Sequence, residues 1–481
     1  MNGLYDRLTE YSASDYYGFH MPGHKRLAPE GVRLPYEIDI TEIEGFDDLH
    51  HADGVLLEAQ QFAAKVYGAE ETRYLVNGST AGILSAVLGS TGKGDRILVA
   101  RHCHKSVYHA IYLNELRPVY LYPEFSSSLH MNMDISVSAV RTALMEYSDI
   151  RAVVIVSPTF DGVISDIKGI AEAVHEWGIP LIVDEAHGAH LGFHPYFDSN
   201  ALAKGADIVI HSIHKTLPSL TQTALLHVRG EIADRRRIFR YLDMMQSSSP
   251  SYILMASIDK CVHMLDEEGP RMFEDYVRRL TELRKSLGGL KCLRLVETER
   301  YDWSKLVISV NGLGMTGREL YKMLLERYHL QMEMAAGTYV IAMTSVNDSG
   351  EGFERLQRAL YEIDAELAEK GCRARDAEEA GTEKADTGMA GNPVNRQVMS
   401  CAEALRISDG EFKTEMLPWE EAEGRISAEY AYLYPPGSPL IVPGEQISPE
   451  AAKLLREYRK AGFSIEGLER DGQIKVVRAG F

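Results

Sequence analysis

The sequence predicts an α/β fold, a mostly parallel sheet flanked by helices, joined to a smaller α/β subdomain and a small C-terminal domain. Three observations predict it. Several short runs are continuous Val, Ile and Leu, the pattern of strands buried on both faces. Between them lie segments with apolar side chains at helical spacing, which are the crossovers that parallel strands require. The chain has 481 residues, enough for roughly three domains at the usual size of about 150.

Residues 1–52 are rich in Gly, Pro, His and Tyr, show little periodicity and read as an irregular N-terminal arm that packs on something else. Regular structure begins near Asp53, and 53–290 reads as the large domain. Its order is GVLLEAQQFAAKVYG helix, RYLV strand, STAGILSAVLGS helix, RILVA strand, VYHAIYLNE helix and PVYLY strand. ISVSAVRTALMEY and IKGIAEAVHEW continue as helices, and AVVIVS, IPLIVDE, DIVIHS and TALLHV as strands, before a long helical stretch from Glu231 to Leu290. A second alternation over 291–370 (KLVISVN, GRELYKMLLERY, TYVIAMTS, GFERLQRALYEIDAELAEK) predicts the subdomain. Residues 371–397 are polar and nearly free of large apolar side chains, and read as a flexible linker. The rest, 398–481, has helices, the Pro-rich turn YPPGSPLIVPGE and a closing strand IKVV.

Composition narrows the function. A formal charge of −19 repels nucleic-acid backbones unless basic residues gather on one face, and no such stripe is visible. No run approaches the roughly 20 apolar residues of a membrane helix, and the N-terminus has no basic-then-apolar signal, so a cytoplasmic protein is expected. The five cysteines are scattered without a CxxC pair, which suits reduced thiols rather than disulfides or a zinc knuckle.

In α/β sheets ligands sit beyond the carboxyl ends of strands, so the residues that follow each apolar run carry the most information. They are Asn77, Gly78, Ser79 and Thr80; His102, His104 and Lys105; Asp184, Glu185 and His187; Ser212, His214 and Lys215. NGSTAG before an apolar helix offers free N–H groups and hydroxyls, the ingredients of a phosphate site and equally of a plain helix cap. Lys215 follows the apolar strand DIVIHS, where a cation has little reason to be unless it is neutralised, paired or covalently used; a desolvated amine can form a Schiff base, and a solvated lysine is the alternative. Asp184 needs a cationic or donor partner. A protonated pyridine nitrogen would serve, as would a metal or a helix cap. His104 offers an imidazole to stack on a flat ring, or a structural histidine.

The order and spacing of GFHMPGHK (Gly18 to Lys25), DITEIEGFDDLH (Asp39 to His50), NGSTAG, HCHKS, SPTFDGV, DEAHGAH, SIHKTLPSLTQTA and YPPGSPLIVPGE (Tyr434 to Glu445) resemble those of the Orn/Lys/Arg decarboxylases. These are pyridoxal-phosphate enzymes of the aspartate aminotransferase fold, also called fold type I. The resemblance implies that Lys215 is the Schiff-base lysine, Asp184 pairs with the pyridine nitrogen, and His104 stacks on the ring. It implies that Ser79, Thr80, Ser212 and His214 hold the phosphate and that His187 lies near the phenolic oxygen. QSSSPSY (Gln246 to Tyr252) is similar to a stretch that reaches the site across a dimer interface. The arm starts within twenty residues of Met1, which resembles the shorter branch without an N-terminal wing domain and implies a homodimer or dimer of dimers.

The implied reaction is decarboxylation of a basic L-amino acid in polyamine metabolism, arginine to agmatine first, then lysine to cadaverine and ornithine to putrescine. Lys215, His104 and Asp184 are the expected catalytic groups, with Lys215, His104 or a residue of the other subunit returning the proton to Cα. A carboxylate must meet the distal cation, and Asp161, Asp47, Glu429 and Glu445 are unranked candidates. An aminotransferase or a carbon–sulfur lyase would keep Lys215 and Asp184, and a non-catalytic cofactor-binding regulatory paralogue would keep every contact. A DEAH helicase lacks its phosphate loop, because GSTGKGD does not fit. His187 and His190 have no HExxH companion for a metallohydrolase, and no metal is expected.

Overall fold

The computed structural model describes residues 3–16, 21–22, 24–28, 33–372, 393–410, 413–434, 437–460 and 463–478. Residues 18–20 and 23 of GFHMPGHK, residues 373–392 of the expected linker, and Pro435 and Pro436 lie outside them.

The arm is less irregular than its composition predicts. Leu4–Ser12 forms helix α1, and Leu4 and Leu8, one turn apart and fully buried, seat it against α9 (Tyr252–Glu267). A pair of leucines four residues apart is a helical signal too short to stand out in a segment of polar and aromatic residues.

The large unit alternates as read. Its elements are α2 (Val55–Tyr67), β1 (Glu71–Leu75), α3 (Gly78–Ser90), β2 (Arg96–Ala100), α4 (Lys105–Leu113), β3 (Arg117–Leu121) and a hairpin of β4 (Phe125–Ser126) and β5 (Met131–Asn132). There follow α5 (Val137–Glu146), β6 (Ile150–Val156), α6 (Ile167–His175), β7 (Leu181–Asp184), β8 (Ile208–His211), the single turn α7 (Ile213–Thr216) and β9 (Ala224–Val228). The sheet order is β1-β9-β8-β7-β6-β2-β3. Its strands are parallel except β9, which runs against both β1 and β8. The α7 loop between β8 and β9 is no full helical crossover, and a return this short gives an antiparallel neighbour. That loop therefore stays on the rim where β1, β2, β6, β7 and β8 end.

Between Glu231 and Leu290 the chain breaks into α8 (Arg235–Met245), α9 and α10 (Gly269–Leu287). Pro250 falls in the first break, where it ends helical continuity. The smaller sheet has the order β10-β11-β13-β12, from Arg294–Val296, Lys305–Ser309, Tyr339–Met343 and Met334–Ala335 (β12). Its pairs are antiparallel, and it carries α11 (Gly317–Tyr328) and α12 (Gly350–Glu369).

The C-terminal part contains β14 (Arg396–Gln397), α13 (Cys401–Ser408), β15 (Thr414–Pro418), β16 (Ala431–Tyr434), β17 (Ser438–Ile441) and β18 (Glu445–Gln446). It closes with α14 (Pro449–Lys460), β19 (Ser464–Glu466) and β20 (Gln473–Val477). Trp419, Leu455, Ile474 and Val476 are part of a buried cluster of its own. Among the described residues no helix is long and apolar enough to cross a membrane.

Candidate active site

A cavity of about 950 Å³ opens at the strand-end rim, and the large sheet, the β4–β5 hairpin, the smaller sheet and the C-terminal part all line it. Every one of Ser79, Thr80, His104, Asp184, His187, Ser212, His214 and Lys215 borders it. Residues from four separate stretches of sequence thus face one space.

One end of the cavity is built to receive an anion. α3 begins at Gly78, whose φ of 72° is one that L side chains rarely adopt. Its N-cap residue Asn77 makes no capping bond and instead donates its amide to the Met245 carbonyl, so the first-turn amides of the helix have no side-chain acceptor. Gly82 lets the helix lie close on the sheet, since a Cβ there would come within 2.7 Å of Leu75. Opposite, the fully buried Ser212 hydroxyl has no hydrogen-bond partner. His214 holds its Nδ1 2.7 Å from the Thr223 carbonyl, which puts the proton on Nδ1 and leaves Nε2 as an acceptor.

Asp184 and Lys215 occupy the middle. Asp184, 3% exposed, ends β7 and accepts the Ala186 N–H at 3.2 Å. Burial raises its pKa, against the opposing pull of Lys215, the Ala186 amide and His211. Burial lowers the Lys215 pKa, opposed by the charges of Asp184 and Glu333. The two groups sense each other's charge across the cavity. Lys215 Nζ is 3.1 Å from His187 Nε2, and Lys305 Nζ is 3.1 Å from His187 Nδ1.

Lys305 was not among the residues singled out from sequence. It sits on β11 within KLVISVN, is fully buried, and burial depresses its pKa to about 8, against Asp302 and with the help of Lys215. Its signal was a lysine at the head of an otherwise apolar strand, whereas Lys215 follows the end of one.

His104 caps α4, taking the Ser106 N–H at 3.3 Å. Burial and the neighbouring Lys215 push its pKa down to about 4, so it is neutral at physiological pH. His102, also on the cavity wall, has a pKa near 4 through burial, and neither ring nitrogen has a partner.

Of the four acids considered for a distal cation, Asp161 alone lines the cavity; it accepts the Tyr339 hydroxyl at 2.7 Å. Asp47 caps α2 through the amides of Gly54 and Leu56, and Glu429 accepts the amides of Glu469 and Lys475. Glu445 is fully buried in a two-pronged pair with Arg101, at 2.8 and 3.0 Å. The carboxylates of these three are taken up by the chain itself. Glu333, which sequence reading passed over, also borders the cavity. His190 pairs with Asp302 at 3.0 Å while His187 bridges two lysines, so the two histidines do not converge as metal ligands. QSSSPSY lies beside the anion end within its own chain, Gln246 bonding the Val76 amide at 2.8 Å and the Tyr74 carbonyl at 3.2 Å.

Comparison with known proteins identifies the family. The sequence model described as "Orn/Lys/Arg decarboxylase, major domain" matches residues 2–323, and that of "Orn/Lys/Arg decarboxylase, C-terminal domain" matches residues 387–473. The chain is 32% identical to the arginine decarboxylase of Bacillus subtilis (strain 168), over 99% of this chain and 97% of that protein. It is 23% identical to the lysine decarboxylase LdcA of Pseudomonas aeruginosa, over 95% of this chain and 75% of that protein. The crystal structure of the Francisella novicida lysine decarboxylase LdcF superposes with a TM-score of 0.83 at 20% identity, covering 99% of this chain and 81% of that one.

Proposed function

The chain belongs to the Orn/Lys/Arg decarboxylase family, and from that premise we propose that it decarboxylates a basic L-amino acid with pyridoxal 5′-phosphate, arginine ahead of lysine and lysine ahead of ornithine. The arrangement of Lys215 and Asp184 across one cavity carries the reading. The order of substrates follows the relatives, since the protein named for arginine is matched at higher identity than the one named for lysine.

The residues present fit the cofactor. Its phosphate needs donors, and the Ser212 hydroxyl is buried without a partner beside the open first turn of α3; Ser79 and Thr80 add donors, and His214 lines the cup and would donate to the anion only as the imidazolium. Its ring nitrogen needs an acceptor, and Asp184 is a buried carboxylate with a single amide partner among the hydrogen bonds of its side chain. When bound, the cofactor supplies an aldehyde for attachment and a conjugated ring that takes up the electron pair left by departing CO2.

The chain's own residues do the rest. Lys215 Nζ is the amine that attaches the aldehyde and yields its place to substrate. Asp184 Oδ would accept the ring N–H and hold that proton in place. His104, a neutral imidazole, would cover one face of the ring, and it, Lys215 Nζ or a residue of the other subunit would deliver a proton to Cα. Asp161 and Glu333 attract the distal cation. Leu433, Leu440, Tyr458 and Phe463 give the cavity an apolar lining from the C-terminal part, which would limit water and favour loss of one bond over side reactions. The same reading makes the enzyme a homodimer or a dimer of dimers, soluble in the cytoplasm.

Purified protein offered arginine, lysine and ornithine should release CO2 and the matching amine, with arginine turned over at the highest kcat/KM. A keto acid as product would assign an aminotransferase instead. Lys215→Ala should abolish turnover and the absorbance of the attached cofactor; retention of both would overturn the reading.

A further inference from the structure

A half-buried lysine and a fully buried one share one imidazole in this site, and hydrogen-bond bookkeeping restricts what they can be. His187 Nε2 is 3.1 Å from Lys215 Nζ and Nδ1 is 3.1 Å from Lys305 Nζ. A neutral imidazole has one N–H and one lone pair, whereas an ammonium can only donate. Two ammonium groups cannot both bond to a neutral ring, so in this geometry one of the amines accepts and is uncharged. The ring is neutral, because burial and the surrounding cations hold the His187 pKa well below its usual value.

We propose that Lys305 is a positioning residue that takes the proton of Lys215 through His187, leaving Lys215 as the free amine. The Lys215 ammonium gives a proton to His187 Nε2 while His187 Nδ1–H gives one to the Lys305 lone pair. The imidazole ends in its other tautomer, the net charge of the trio is unchanged and no other bond breaks. This rests on the reading of Lys215 as the attachment amine, for which a free lone pair is the requirement.

The surroundings suit a movable proton. Lys305 is fully buried and titrates near 8, so it is able to hold or release a proton near neutrality. Its charge is opposed first by burial and also by Lys215, and favoured by Asp302, Glu333 and Asp161. Lys215 faces Asp184 and Glu333, and His104 senses its charge. His187 faces Lys215, Lys305, His104 and His214. Asp302 is held by His190 and by the amide and hydroxyl of Ser304, which fixes a carboxylate near Lys305. A lysine placed there only to fill space would have been less costly as a leucine or methionine.

The test reads the protonation of Lys215 directly. Full-length protein freed of cofactor is pulse-labelled with acetic anhydride across a pH series, and the acetylated fraction of the Lys215 peptide is measured by mass spectrometry. Lys305→Met, which has no site for the proton, should raise the pH of half-labelling at Lys215 by about one unit or more. Lys305→Arg, a permanent cation that forces Nδ1 to accept, should leave that pH unchanged or lower it. If the methionine variant does not accumulate as folded protein, Lys305→Gln supplies the uncharged arm. An unchanged midpoint in the uncharged variant, or a rise in the arginine variant, overturns the relay. The labelling involves no cofactor, so its failure would leave the assignment of Lys215 standing; failure of that assignment would show instead as retained cofactor in Lys215→Ala.

Discussion

The pair of Arg101 and Glu445 ties the C-terminal part to the segment between β2 and α4 that carries His102 and His104, and it allows a worked prediction. Both side chains are fully buried, and the guanidinium makes two parallel bonds to the carboxylate at 2.8 and 3.0 Å. Arg101 also reaches the Leu440 carbonyl at 3.2 Å and lies 4.7 Å from the centre of the Tyr120 ring. Glu445 takes further bonds from the Val442 amide at 3.0 Å and the Asn395 side chain at 3.1 Å. In Arg101→Met the carboxylate keeps those two donors and loses its cation. Removing one partner of a buried pair costs about 3–5 kcal/mol, and the retained donors put this case near the lower figure. A double variant, Arg101→Met with Glu445→Leu, leaves no buried charge and should be more stable than Arg101→Met alone, a coupling of about 2 kcal/mol or more. Urea unfolding followed by circular dichroism, with activity on the same samples, measures both. Because His102 and the C-terminal part are further joined by the Ser438 hydroxyl on the His102 carbonyl at 3.0 Å, kcat should fall with stability in the single variant. A loss below about 1 kcal/mol in Arg101→Met, the value of an exposed pair, would refute the reasoning, as would strict additivity in the double variant.

Three further outcomes follow from the site. Asp184→Asn should retain cofactor but lose kcat by about a hundredfold or more, since the ring proton loses its anion; stopped-flow assays with arginine check it. Ser212→Ala should weaken cofactor affinity by about tenfold, the worth of one hydrogen bond to a charged group, measured by fluorescence titration, with kcat at saturation little changed. Stability should fall as pH is lowered from about 6.5, the unfolded value of histidine, towards about 4, where His102 and His104 titrate in the folded protein. In that window the unfolded chain binds protons that the folded one refuses. The raised pKa of Asp184 acts in the opposite sense, so replacing His102 by Gln should flatten the slope of urea midpoint against pH between those limits.

Much of this was legible in the sequence because buried parallel strands have a distinctive composition. AVVIVS, IPLIVDE and DIVIHS became β6, β7 and β8, and the polar residues after them could be read as rim residues without knowing the sheet order. The arm helix was not legible, because Leu4 and Leu8 are its whole buried face. The antiparallel turn of β9 was not either, since a strand's composition does not record its direction. The acids were the hardest. Asp47, Glu429 and Glu445 differ from Asp161 only in which amides and guanidinium groups reach them, and those partners come from up to 344 residues away.

Lys305 shows where the rule of reading strand ends stops. It belongs to the smaller sheet, at the beginning of its strand and not at the end, so nothing in the rim logic of the large sheet points to it. What brings it to His187 is the approach of β11 to the loop after β6: Gly162 has a φ of 100°, and a Cβ there would come within 3.0 Å of the Lys305 side chain. The close contact depends on a glycine in one unit and a lysine in another. A cation at the head of an apolar strand is costly wherever it occurs, and that cost is a reason to look for its partner beyond the sheet that carries it. Here the partner is an imidazole whose other nitrogen faces the lysine that the sequence had already singled out.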